Sequence, residues 1–185
     1  IAGTPKGKGL RYFLRNKLGE PPVYTSAVNF EKNRNIMVNR LQNKGYFNAA
    51  VAFDTTTKKF ETKGLFTIKP AQLYTIDSIN FPKDSSVLSK AIARTARRSL
   101  LKKGNPYDLD AIKDERIRID SRLKERGYFY FSENYLLLKA DSTPGNNKVN
   151  LYMTVKKETP PEARKPYRIG DVVIFADYNI RTDTN

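Results

Sequence analysis

The sequence predicts an α+β chain built from tandem modules, each in the order strand, helix, helix, strand, strand. Three observations predict it. A helix-to-strand corner at Leu41, Gly45, Tyr46 and Phe47 returns 82 residues later as Leu123, Gly127, Tyr128 and Phe129. An extended pattern at Tyr74, Ile76, Ile79 and Phe81 returns 93 residues later at Tyr167, Ile169, Val172 and Ile174. Within each copy the apolar spacing changes from helical to extended, which marks a repeated supersecondary unit.

The elements follow in order. In the first copy Gly19, Pro22 and Tyr24 parallel Gly104, Pro106 and Tyr107 of the second. Phe30, Met37 and Leu41 lie at helical spacing, and Gly45 is placed to end that helix because glycine accepts the left-handed conformation of a C-cap. The runs 46–53 and 60–69 read as a hairpin, rich in aromatic and β-branched residues. No opening strand is evident in residues 1–19.

The second copy is complete. Its opening strand spans 74–81, and the break in alternation between Ile76 and Ile79 predicts a bulge. Residues 84–103 read as a helix with Asp84, Ser85 and Ser86 as cap candidates and Val87, Leu88, Ala91, Ile92, Thr95, Ala96, Leu100 and Leu101 on its apolar face. Asp108 is the N-cap candidate of the next helix, whose core side carries Leu109, Ile112, Ile119 and Leu123, and Gly127 ends it. The runs 128–139 and 148–156 then form a hairpin around the Pro144-Gly145 turn. The larger offset between the strand marks assigns about 11 extra residues to the turn-rich stretches 141–147 and 156–165. The predicted modules are therefore 1–72, 73–158, and 159–185 as the start of a third.

Composition narrows the function classes. The chain has 185 residues, with 34 Lys and Arg against 19 Asp and Glu, a formal charge of +15. That balance favours anionic partners. Cys and His are absent, which removes disulfides, thiolate nucleophiles, the commonest metal ligand and the usual general base. Neither a cofactor nor a metal is expected, and no enzyme is expected. Gly7-Lys8-Gly9 lacks the spacer and the Lys-Ser/Thr ending of a phosphate loop. Asp108, Asp110, Asp114 and Glu115 share no common helical face, so capping and solvated charge are expected of them rather than a metal site. No run reaches the ~20 apolar residues of a membrane-spanning helix.

Three marks, repeated in order, resemble those of POTRA (polypeptide-transport-associated) domains: the Tyr74-led opening strand, Gly104-x-Pro106-Tyr107 before the second helix, and Gly127-Tyr128-Phe129 at its end. The resemblance extends over roughly residues 18–175 and is nearest to the surface-antigen and translocation-and-assembly-module group of Gram-negative bacteria. It implies that each module is a three-stranded mixed sheet packed on two helices. It implies a place at the periplasmic face of the outer membrane, N-terminal to a membrane barrel, in a factor that assembles or translocates other proteins. The implied partners are unfolded or extended outer-membrane client polypeptides, accessory assembly subunits and anionic lipid headgroups; no cofactor is implied. A sheet edge would capture clients by β-augmentation.

On that reading the edge residues are Tyr128, Tyr130, Ser132, Asn134 and Leu136, with Tyr46 and Asn48 in the earlier copy. A second surface, the basic residues Arg94, Arg97, Arg98, Lys102 and Lys103 of the 84–103 helix, would meet anionic headgroups. The alternative from another class is a basic nucleic-acid-binding α/β protein. Charge favours it, but no zinc, KH or RNP motif supports it, so nucleic acid is the less favoured partner.

Overall fold

Glycines and capping side chains set most of the element boundaries in the computed structural model, which describes residues 9–13, 24–59 and 61–174. The chain divides into two compact units, one of Ile1–Gln42 with Asn48–Ala71, the other of Asn43–Phe47 with Gln72–Asn185.

In the first unit a single helical turn, α1 (Leu10–Phe13), precedes α2 (Phe30–Asn43). Asn29 caps α2 by accepting the Lys32 N–H at 2.8 Å. β1 (Ala50–Lys58) and β2 (Glu61–Lys69) then pair antiparallel as a two-stranded sheet. Phe53 and Phe66 sit opposite each other in the register, and Phe30 of α2 stacks on them with ring centroids 5.9 and 6.3 Å away. Gly64 lies beneath the Phe30 ring, where a Cβ would collide with it. Among the described residues no strand precedes α2. The parallels at Gly19 and Pro22, the hairpin residue Phe60 and the Gly7-Lys8 pair lie outside the described residues.

The second unit is the predicted module. β3 (Thr75–Asn80) is followed by α3 (Val87–Ala93), α4 (Leu109–Lys124), β4 (Leu136–Asp141) and β5 (Lys148–Val155). The strand order is β3-β5-β4, with β3 parallel and β4 antiparallel to β5. The sheet is therefore three-stranded and mixed, and the chain is α+β. The bulge expected in the opening strand is a register shift between Ile76 and Ser78. The 142–147 turn closes with Gly145 at φ +72°.

One face of the sheet meets the helices. Leu88, Ile92, Ile119, Leu123, Leu136 and Met153 form one core cluster with Tyr128 and Phe131. Ile76, Leu101, Ile112, Val149 and Leu151 form another, and Leu138 packs against both. Full burial of each such aliphatic side chain is worth about 1.5–3 kcal/mol before ordering costs. β5 alternates as a strand should: Val149, Leu151 and Met153 are buried, while Tyr152 and Thr154 face solvent.

Two predicted elements differ. The helix expected over 84–103 is only α3, capped by Ser86, whose hydroxyl accepts the Ser89 N–H at 3.1 Å. It stops because the Thr95 hydroxyl and N–H both turn back onto the Ile92 carbonyl, at 2.7 and 2.9 Å. A 3₁₀ turn, Ala96–Arg98, follows, and Leu101 then enters the core as an irregular residue. Lys102 and Lys103 therefore do not sit at a helix C-terminus. The strands expected over 46–53 and 128–139 begin later, at Ala50 and Leu136. Tyr128 and Phe131 are core anchors in turns, and the Glu133–Tyr135 3₁₀ turn delivers the chain to β4. Aromatic content made these residues look extended; their burial from turn positions is a tertiary effect that composition does not encode.

Candidate functional site

The site reading depends on which strand edge is open, and the backbone decides this. In the three-stranded sheet the edges are β3 and β4. The outer side of β3 is already occupied over its first half. Ile76 donates to Asn105 O at 2.8 Å and accepts from Gly104 N at 2.7 Å, and Tyr107 donates to Tyr74 O at 2.9 Å. The Gly104-Pro106-Tyr107 mark thus acts as a short fourth rung on β3, with a bridge between Thr75 and Pro106.

β4 has no such cover among the described residues. Lys156 N–H donates to Tyr135 O at 2.9 Å, so 135 and 156 are a hydrogen-bonded pair one step before the Leu136–Val155 pair. Antiparallel alternation then turns the backbone groups of Leu137, Lys139 and Asp141 towards β5 and those of Leu136, Leu138 and Ala140 outward. The Leu136 N–H is taken by Glu133 O within the preceding turn. The Leu136 carbonyl and the N–H and C=O groups of Leu138 and Ala140 remain on the open rim. On the solvent face beside them, Leu137 and Tyr152 are 37% and 40% exposed, an apolar strip for alternate side chains of an added strand.

Of the sequence-chosen edge residues, Leu136 lies on β4, Tyr128, Tyr130, Ser132 and Asn134 lie in the turns before it, and Tyr46 and Asn48 lie before β1. Leu136 is the first residue of β4 and is buried. Ser132 caps the turn before it, accepting the Asn134 N–H at 3.3 Å, and Asn134 is exposed. Tyr128 is buried, whereas Tyr130 is exposed and packs edge-on against Phe129 and Tyr167, at 5.1 and 5.2 Å. Tyr46 is half-buried and Asn48 exposed, both ahead of β1. Sequence reasoning missed Leu138, which lies in the run it read as a strand, and Ala140, one residue beyond that run; the hydrogen-bond phase of the hairpin selects them, and that phase is set by the turn.

The two Gly-Tyr-Phe corners are built alike. Gly127 has φ +90° and Gly45 +89°. After α4 the Tyr128 N–H returns to Leu123 O and the Gly127 N–H to Lys124 O, both at 3.0 Å, which is the Schellman arrangement. Each glycine carbonyl then accepts the N–H of a repeat-mark tyrosine: Tyr74 onto Gly45 at 2.9 Å, Tyr167 onto Gly127 at 2.7 Å. At both corners a Cβ would strike backbone, the Tyr107 carbonyl at Gly45 and the Tyr167 carbonyl at Gly127. The stretch 167–174 forms neither helix nor strand, and residues 175–185 lie outside the described residues.

The acidic residues at the start of α4 act as caps and ion-pair partners. Asp108 accepts the Asp110 N–H at 2.9 Å, and Lys44 Nζ bridges Asp108 and Asp110 at 2.9 and 3.0 Å. The Asp108 and Asp110 hydrogen bonds, in that order of weight, push the Lys44 ammonium above its ordinary value. Glu115 is fully buried and forked onto Arg118 at 2.7 and 2.8 Å, and it also accepts the Leu100 N–H at 2.9 Å. Lys103 pairs with Asp77 at 3.3 Å, while Lys102 is exposed. Arg94, Arg97 and Arg98 are exposed at the end of α3 and in its following turn.

No family model and no curated protein matches the chain. Among solved structures, it is similar to the crystal structure of Haemophilus influenzae BamA POTRA3-5, at 15% identity and a TM-score of 0.40, over 69% of this chain and 47% of that one. It is also similar to BamA from Haemophilus ducreyi lacking POTRA domains 1–3, at 14% identity and a TM-score of 0.44, over 81% of this chain and 27% of that one. The chain thus spans less than half the length of either.

Proposed function

We propose that this chain is the periplasmic portion of an outer-membrane protein assembly or translocation factor, and that its open sheet edges take up extended client polypeptides by β-strand addition. The observation that carries this reading is the β4 rim, where the Leu136 carbonyl and both backbone groups of Leu138 and Ala140 have no partner among the described residues. An unpaired row of this kind binds an incoming strand through its main chain, and so accepts many sequences. The exposed Leu137 and Tyr152 beside it favour clients with apolar residues at every second position, the pattern of a membrane β-strand. Accessory subunits would use the same chemistry at whichever edge clients leave free. The repeat marks and their order supply the periplasmic setting and the expectation of a membrane barrel in the same polypeptide.

The test is a titration with an extended peptide of alternating apolar and polar residues. Ala140→Pro removes one outward N–H and leaves the bonds to β5 intact, a position where an edge strand tolerates proline. Loss of one net hydrogen bond of about 1 kcal/mol weakens binding about fivefold. Unchanged affinity in a folded Ala140→Pro chain, checked by unaltered protection of the β5 amides, would overturn the assignment of the rim.

A further inference from the structure

A cleft of about 590 Å³ opens between the end of α3 and one face of α4. Arg94, Arg97 and Arg98 line it from the first side, and Arg118, Arg122 and Arg126 from the second. Glu125 is the one carboxylate among its described lining residues. Six guanidiniums converging from two elements repel one another, and the protein neutralises only part of that charge. Arg118 is held by the buried Glu115 and also donates to the Thr95 carbonyl at 3.2 Å. Arg122 meets Glu125 at 2.7 Å, and Arg126 reaches the Ala91 carbonyl at 3.3 Å. The guanidiniums of Arg94, Arg97 and Arg98 make no hydrogen bond or ion pair among the described residues.

The cleft is built by features already described. The Thr95 hydroxyl ends α3 at the Ile92 carbonyl, so Arg94 closes the helix and Arg97 and Arg98 follow it in a turn instead of a spiral. On α4, Arg118, Arg122 and Arg126 recur at four-residue spacing, which places them on one side of the helix and its C-terminal turn. Glu115 fixes the guanidinium plane of Arg118 in advance.

We propose that this cleft binds a ligand carrying two or more phosphate groups, seated between the arginines of the α3 turn and those of α4. Guanidinium forks match phosphate oxygens two at a time. The volume falls within the roughly 300–1,000 Å³ of small-ligand sites. No side chain among its described lining residues is aromatic, so aromatic stacking on a nucleobase is not what it offers; the phosphates are the recognised groups. They are carried either by a lipid headgroup or by a soluble molecule.

The experiment titrates the chain with inorganic pyrophosphate at roughly physiological salt, following the arginine Nε–H signals by NMR. Saturable shifts are expected at the cleft arginines. Arg97→Gln with Arg98→Gln, both exposed positions, should weaken binding by about tenfold or more. Lys102→Gln with Lys103→Gln removes the same charge outside the cleft and should change affinity less than about twofold. Equal weakening by the two double variants would mean that net charge alone attracts the anion, and would overturn the proposal, as would shifts that never saturate. Phosphatidylcholine vesicles with a minor share of cardiolipin, whose headgroup carries two phosphates, separate the sources. Retention displaced by pyrophosphate identifies a lipid headgroup, and pyrophosphate binding without retention a soluble phosphate; either supports the site. A single-stranded oligonucleotide bound more tightly than pyrophosphate, and weakened equally in both variants, would overturn it in favour of diffuse nucleic-acid contact.

Discussion

Replacing Gly127 with alanine tests whether the corner after α4 is a local cap or a joint. Four of the described glycines have positive φ: Gly45, Gly104, Gly127 and Gly145. An L-residue in the left-handed region costs about 1 kcal/mol. At Gly104 and Gly145 a Cβ meets nothing within 4 Å, so alanine there should cost that amount alone. At Gly127 the Cβ would fall on the Tyr167 carbonyl. Tyr167 must retreat and surrender its 2.7 Å bond to the Gly127 carbonyl, a further loss of about 1 kcal/mol. Gly45→Ala repeats the experiment, since its Cβ would lie 2.8 Å from the Tyr107 carbonyl beside the Tyr74 bond. Equilibrium denaturation should therefore sort the four variants into two pairs, about 1 and about 2 kcal/mol. Amide exchange adds the location: Tyr167 should exchange about fivefold faster in Gly127→Ala, and Tyr74 in Gly45→Ala. If Gly127→Ala costs no more than Gly145→Ala and Tyr167 exchange is unchanged, the joint does not exist in solution.

Glu115→Ala should destabilise the second unit by about 3 kcal/mol, because it strips Arg118 and the Leu100 N–H of a fully buried acceptor; thermal or chemical denaturation reads this, and a loss near zero would contradict the buried fork. Stability should fall as pH drops below 3.8, since Asp84 is held under that value by the Ser86 and Ser89 hydrogen bonds; a carboxyl with a depressed native pKa contributes above its unfolded value and loses that contribution as pH falls through the native one. Asp77 is lowered too, first by its bond from the exposed Lys103 ammonium. In about 1 M salt the acid-limb difference of Asp84→Ala should persist and that of Asp77→Ala should vanish, because salt screens exposed ion pairs and leaves hydroxyl bonds intact; equal salt sensitivity would refute the distinction.

Much of the second unit was legible in the sequence because local chemistry and tertiary packing agree there. Gly127 reads as a helix stop and is one. Asp108 was read as a cap and accepts the Asp110 N–H. The broken alternation at Ile76 became a register shift. The two kinds of repeat mark were found separately, yet Gly45 with Tyr74 and Gly127 with Tyr167 prove to be two ends of one hydrogen bond; only a fold brings them together. The start of β4 was not legible, because Tyr128 and Phe131 reach the core from turns and carry the same residue types as a strand. Nor was the end of α3, where one hydroxyl outweighs a favourable apolar spacing that continues to Leu101. The arginine cleft joins three residues singled out in the sequence, Arg94, Arg97 and Arg98, to three that were not. The four-residue spacing of Arg118, Arg122 and Arg126 was visible, but its meaning depends on what α4 faces.

Amide exchange along β4, with and without an extended client peptide, addresses strand addition residue by residue. In the free chain Leu137, Lys139 and Asp141 should be protected by β5, and Leu138 and Ala140 should exchange freely. Peptide binding should slow Leu138 and Ala140 and leave the other three as they were. A peptide that binds while Leu138 and Ala140 keep exchanging as before would contradict strand addition at this edge.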